Sequence, residues 1–440
     1  MRPWLGVIAL VLAACGTESP EKGRANLDEP DDAGVVRPLD AGRVTPTPEP
    51  KPAAVVDASV ATGLTYTANV RPILNRSCVP CHSDGNIAPF SLDTYESAKP
   101  FAKIIAAVSR ARTMPPSVVD NSGECNTYRE LPWLTDDEIA RLEEWAEGGA
   151  PEGAAAPVPP VTALPKLSGE IGSIKTPPYV PSTELPDDWR CFVLDNPFDQ
   201  AMFLTGFDTR PGDPRTAHHM ALFYPLDDGA GLLAHVLDEL EEGPGYTCFG
   251  SAITPATVIA AWAPGGGATI YPDNLGIEIL PSRPLIVQMH YNTAATAMPG
   301  EDSTSVDLQV KREGTTPAKL QPVLDLEMAL PPGTKDAKEV VERTFDKPVE
   351  VYGVFPHMHE IGKTLRVTVT DSKGERCLHD APRYDFHWQR MYFFDKPITL
   401  EAGSKLSIDC RFDTTDRTQV TNWGESSQDE MCVAGLFIKL

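Results

Sequence analysis

The sequence predicts a multidomain protein in which a small all-α domain precedes two antiparallel β-sandwiches of jelly-roll type. Three observations predict it. The chain has 440 residues, more than one ordinary core organises, which points to about two to four domains. Residues 61 to about 150 read as helices, with apolar residues at helical spacing. From about residue 180, short runs of β-branched and aromatic residues alternate with Pro, Gly and Asp turns.

The N-terminus comes first. Arg2 precedes an apolar run over 4–14, which is too short to span a bilayer as a helix. The run ends in Leu12-Ala13-Ala14-Cys15. That ending resembles a bacterial lipobox, which implies export, cleavage before Cys15 and a lipid on its thiol. The chain would then be anchored to a bacterial membrane, facing the periplasm or on the outer membrane. An ordinary signal peptide (1–15) would leave Cys15 without a role. Residues 16–60 are Pro, Ala, Asp, Glu and Val with almost no aromatics, and read as a disordered tether.

The α-domain is expected over 61–150. Residues 98–111 lack Gly and carry apolar residues at helical spacing. Thr135-Asp136-Asp137-Glu138 is a capping box, opening a helix that runs to about Glu147, where Gly148 and Gly149 end it. Residues 151–180, beginning with an Ala/Pro-rich run, read as a linker. The two sandwiches follow at 181–315 and 316–440, divided at the Gly/Thr/Pro stretch after Lys311. No internal repeat is evident.

Composition narrows the function. A net charge of −24 excludes nucleic acid, whose binding needs a basic surface to release counterions. It equally argues against a charged face on an anionic membrane; solubility is the plainer reading.

Cys78-Val79-Pro80-Cys81-His82 is a C-x-x-C-H motif. Its thiols are spaced to form thioethers to haem vinyl groups, and the histidine ligates the iron from one face. A thioredoxin-like disulfide would need a βαβ surround, and a zinc pair a second CxxC or HxxxH; neither is present. Met114, in Arg112-Thr113-Met114-Pro115-Pro116, is the candidate sixth ligand. If it is a core methionine instead, the iron is five-coordinate. The segment resembles a small cytochrome c domain, which implies one covalently bound haem c.

Five histidines outside this motif fall in three clusters, Ala217-His218-His219-Met220, Gln288-Met289-His290-Tyr291 and Pro356-His357-Met358-His359. On a strand, i and i+2 share a face, so His357 and His359 form a metal-chelating pair. The adjacent His218 and His219 point to opposite faces of a regular strand and converge only at a bulge or a strand end. His235 lies in an acidic amphipathic helix over 232–241, and His379 and His387 in a polar, aromatic loop; none of the three reads as a ligand.

Together the clusters resemble the copper type II, ascorbate-dependent monooxygenases, the peptidylglycine α-hydroxylating and dopamine β-monooxygenase family. The resemblance covers about residues 185 to 440 and rests on His219-Met220, Gln288-x-His290-Tyr291, His359-x-x-Gly362-Lys363 and Asp429-Glu430-Met431-Cys432, in that order. It implies two copper ions. His218, His219 and His290 would hold the one that stores and passes an electron. His357, His359 and Met431 would hold the one that activates O2. Three imidazoles suit either copper oxidation state, and a thioether softens the second site toward Cu(I). The same pattern implies disulfides Cys191–Cys248 and Cys410–Cys432. Cys125 and Cys377 are left over, and either join the α-domain to the copper domains or stay free.

The pattern also breaks. Where peptidylglycine enzymes clamp a substrate carboxylate, this chain has Phe355, Val433 and Gly435. None can pair with an anion, so a small apolar substrate is expected in place of a peptide. The implied enzyme hydroxylates a C–H bond with O2, drawing electrons from an ascorbate-like reductant or a redox protein, with the haem as an inlet. The alternative is a non-catalytic haem/copper electron-transfer or copper-binding protein.

Overall fold

The computed structural model describes residues 63–84, 88, 90–116, 118–185, 187–263, 267–293, 298–424 and 429–440. The signal segment, Cys15 and the tether expected over 16–60 lie outside the described residues. Among the described residues no helix is long and apolar enough to cross a membrane.

The helical part comes first. A π-type turn over Tyr66–Val70 leads into α1 (Arg71–Ser77), with Pro72 at the start, where its missing N–H costs nothing. The stretch read as one helix over 98–111 is broken. Here α2 (Tyr95–Ala98) passes through a 3-10 turn over Lys99–Phe101, which contains Pro100, into α3 (Ala102–Arg110). α4 (Asp136–Glu147) starts at the Thr135/Glu138 capping box. α3 buries Ala102, Ile105, Ala106 and Ser109, and α4 buries Ile139, Leu142, Trp145 and Ala146, both at helical spacing. These faces close a core on Tyr66, Leu74, Leu142 and Trp145.

Residues 151–180 differ from the expected linker. Their first half lies along the helices: Asn75 donates to the Pro159 carbonyl at 2.7 Å, and its own carbonyl accepts from Thr162 N–H. Their second half contains the strand Glu170–Lys175, paired along its length with Ser305–Lys311. An edge strand with a single neighbour carries a weak pattern of its own; its partner makes it a strand.

Two β-sandwiches follow, and they are not separate. A nine-stranded sheet runs through both. Its first half holds Glu170–Lys175, Ser305–Lys311, Met202–Arg210, Leu275–Ile279 and the short Thr269–Ile270 beside Met202–Arg210, and its second Thr316–Leu324, Val433–Lys439, Val349–His357 and Tyr392–Leu400. The halves join where Thr316 and Pro317 pair in parallel with Leu275 and Gly276, just after the Gly314 turn. A five-stranded sheet packs on the first half, burying Leu222, Val287 and Met289 against Leu204, Val306 and Leu308. A four-stranded sheet packs on the second, burying Val367, Leu406 and Ile408 against Val351, Val354 and Leu436. α5 (Asp228–Leu240), capped by Asp227, carries His235.

Candidate functional site

The strand Ala217–Pro225 pairs with Leu285–Asn292, and their register slips between Ala217 and His219. The slip is the bulge that two adjacent histidines need in order to turn to one side. His290 stands directly across from His219. One ring nitrogen from each of His218, His219 and His290 lies within 4.8 Å of the others. The Nδ1 atoms of His218 and His290 are each 3.3 Å from Nδ1 of His219. A tetrahedral centre with metal–nitrogen bonds of roughly 2.0–2.1 Å holds its ligand atoms roughly 3.3 Å apart, so this spacing fits one ion.

The surround fixes the rings. Nε2 of His290 lies 2.8 Å from Asp187 Oδ1, the carboxylate–histidine contact that orients a metal-binding imidazole. That hydrogen bond is the main reason the Asp187 carboxyl sits below the ordinary carboxylate range. Trp189 stacks flat on His290 with centroids 3.9 Å apart. Register brings both residues in: Trp189 pairs with His290, and Asp187 with Asn292, on neighbouring strands.

The second cluster forms where Val349–His357 ends. His359 lies beyond the strand, so regular alternation does not hold it beside His357. Glu430 holds it. This buried carboxylate accepts from the backbone N–H groups of His359, Ile361 and Met431 at 2.8, 3.0 and 3.2 Å. Burial pushes its carboxyl up to about 7 against those three donors. The His357 and His359 rings stand 5.2 Å apart and nearly perpendicular.

Each ring has its Nδ1 occupied, His359 on the Asp429 carbonyl at 3.1 Å and His357 on Gln389 Oε1. An imidazole donating from Nδ1 keeps its lone pair on Nε2, so Nε2 is the atom that would face a metal here, as Nδ1 would in the first cluster. Burial, and then the neighbouring His359, push His357 down to about 3, so the ring is neutral at ordinary pH. Val433 pairs with His357, and the same register carries Met431 toward His359. Met431 is buried, and Cys432 beside it is bonded to Cys410. Two imidazoles and a thioether are a donor set copper accepts.

The apolar positions form one surface beside His357. Phe355 pairs with Gly435, and its ring lies parallel to His357 at 6.1 Å. Val433 completes it.

In the helical part, Cys78, Cys81 and His82 occupy the turn that follows α1, where His82 N–H donates to the Cys78 carbonyl at 2.8 Å. Neither cysteine forms a disulfide. His82 Nδ1 is 3.2 Å from the Phe90 carbonyl. Met114 lies elsewhere, in a cleft lined by Arg112, Pro115, Trp133 and Leu134 that does not include His82.

Cys125–Cys377 and Cys191–Cys248 are also disulfides. His379 corrects its sequence reading: it is buried on the strand Gly374–Ala381, with Nδ1 2.8 Å from the Tyr128 hydroxyl, and is not in a loop. The side chain of His387 lies outside the described residues. Sequence reasoning missed Asp187, Trp189, Gln389 and Phe386. Only register and the tertiary path bring them to the histidines. Glu430 was within reach, since it directly precedes Met431.

Residues 324–438 match the family model for the copper type II ascorbate-dependent monooxygenase, C-terminal domain. That stretch contains His357, His359 and Met431. The chain is also similar to DBH-like monooxygenase protein 1 of Mus musculus, with 29% identity over 206 residues, 42% of this chain and 33% of that protein. The Gallus gallus protein of the same name is 26% identical over 255 residues, 50% of this chain and 41% of that protein. Peptidyl-glycine alpha-amidating monooxygenase A of Xenopus laevis is 26% identical over 263 residues, 58% of this chain and 26% of that protein. The chain thus spans about a third of the length of the curated relatives it matches.

Proposed function

We propose that this protein is a copper-dependent monooxygenase that hydroxylates a C–H bond of a small apolar molecule. One atom of O2 enters the product and the other leaves as water, with two electrons and two protons consumed. The observation that carries the reading is the three-imidazole cluster at metal-ligand spacing, in a chain whose second sandwich presents the separate donor set His357, His359 and Met431. Copper bound at these sites supplies the one-electron redox chemistry that O2 activation needs.

The chain's own residues supply orientation. Asp187 fixes the His290 ring, Gln389 the His357 ring, and the Asp429 carbonyl the His359 ring. Glu430 ties the His359 and Met431 backbones to one carboxylate, so the imidazole and the thioether move together. Phe355 and Val433 favour a neutral substrate beside His357, because neither side chain can pair with a carboxylate.

The helical part is read as a carrier of c-type haem, which the Cys78 and Cys81 thiols and the His82 imidazole would hold; Met114 lies in its separate cleft. Its support is the single turn that carries both cysteines and His82, whose Nδ1 lies on the Phe90 carbonyl and leaves Nε2 as the ligating atom. That haem would relay electrons from a small reductant or a redox protein. Export with a lipid on Cys15 completes the reading.

Copper titration of the purified protein tests the central assignment. Two ions per chain are expected, with one lost in His219→Ala and the other in His359→Ala. Binding of a single ion, or two ions indifferent to both substitutions, contradicts it.

A further inference from the structure

A strap over 118–131 leaves the helical part between α3 and α4 and buries Val118, Val119 and Tyr128 in the core of the second sandwich. It grips that sandwich at two places. At the first, Cys125 is bonded to Cys377, and Asp120 N–H donates to the Asp380 carbonyl at 2.9 Å. At the second, Arg129 N–H donates to the Phe393 carbonyl at 2.9 Å and Asp395 N–H to the Thr127 carbonyl at 3.0 Å.

The chain between these two grips is an arch over 384–389, and the arch turns into the metal clusters. The Tyr384 hydroxyl accepts from Met358 N–H at 2.9 Å and is 2.6 Å from the Met358 carbonyl, between His357 and His359. Gln389 holds His357. At the crown, the buried Phe386 ring lies 5.7 Å from His219, 6.1 Å from His290 and 6.0 Å from His359, centroid to centroid. One aromatic ring thus meets histidines of both clusters.

We propose that Phe386 is a positioning residue: held on an arch clamped at both feet by the helical part's strap, it sets the separation of the two metal clusters. The inference rests on the copper reading above. An aromatic ring suits the role because it is rigid, large and indifferent to the charge of what it separates. Removing it opens a cavity between the two histidine clusters.

The test is frozen-solution EPR of the full chain loaded with two Cu(II) ions. Dipolar splitting between the ions falls with the cube of their separation. The unaltered protein should give one narrow splitting. Phe386→Ala should broaden or shrink it, Phe386→Tyr, which keeps the ring, should restore it, and the paired Cys125→Ser/Cys377→Ser variant should move it in the same direction as Phe386→Ala. Phe386→Leu serves the same purpose if the alanine variant fails to fold. An unchanged splitting in Phe386→Ala or Phe386→Leu, with two coppers bound, overturns this inference and leaves the copper reading standing. Fewer than two coppers in the unaltered chain overturns both.

Discussion

At His290, His357 and His359, the hydrogen bond on the far side of the ring decides which nitrogen would face a metal. Asp187 does this for His290 with a full negative charge, which also raises the ring's basicity. Asp187→Asn should therefore weaken copper binding at the first cluster by roughly 10–100-fold and leave the second unchanged. Competition titration against a chelator of known affinity would show it, and equal weakening at both sites would contradict it. The histidines were legible because ligating residue types lay close together in sequence. Asp187 was not, because it is 103 residues from His290 and only strand register joins them. Gln389 was hidden for the same reason, 32 residues from His357.

His379 carries a pH dependence at the same scale. Burial pushes it from the ordinary 6.5 down to about 3, and Nε2 has no partner in the core. Between those values the unfolded chain takes up a proton that the folded chain refuses, so stability falls as the medium is acidified below the unfolded value. Denaturant unfolding at about pH 7 and about pH 4.5 should show the loss, and His379→Leu should make it shallower. An unchanged slope in the variant would place the acid sensitivity elsewhere.

Elements position what residues cannot. The bulge after Ala217 brings an adjacent histidine pair, which a regular strand would split, to one side as two candidate ligands. The sequence predicted that a bulge or a strand end was required without saying which. The Cys410–Cys432 bridge fastens the Met431 segment to the strand Lys405–Phe412. It closes a span of 22 residues, for which loop entropy gives about 3 kcal/mol at 25 °C. The paired alanine variant should lose about that much stability in denaturant melts and bind copper more weakly at the second cluster first. Loss confined to the first cluster would contradict the assignment of Met431. The capping box at Thr135 was legible because its pattern is local. The strand Glu170–Lys175 was not, because its partner Ser305–Lys311 lies in a distant part of the chain.

On the scale of the whole molecule, division into a helical part and two sandwiches followed from composition and punctuation. Their connection did not. The expected boundary near residue 315 is a turn, but the strands either side of it continue one sheet. The strap over 118–131 was not legible because its apolar residues bury in another domain's core, and spacing alone does not pair Cys125 with Cys377, 252 residues apart. These connections bring the helical part, the arch and both histidine clusters into one continuous structure, and the functional reading depends on that continuity.

The most direct test of that reading is a single turnover under 18O2. The copper-loaded, fully reduced protein would be mixed with a panel of small uncharged organic substrates, and the products read by mass spectrometry. A hydroxylated product carrying one 18O atom is expected, and its loss in His359→Ala. Two bound, reducible coppers with no labelled product from any substrate would contradict it and leave a protein that only stores electrons.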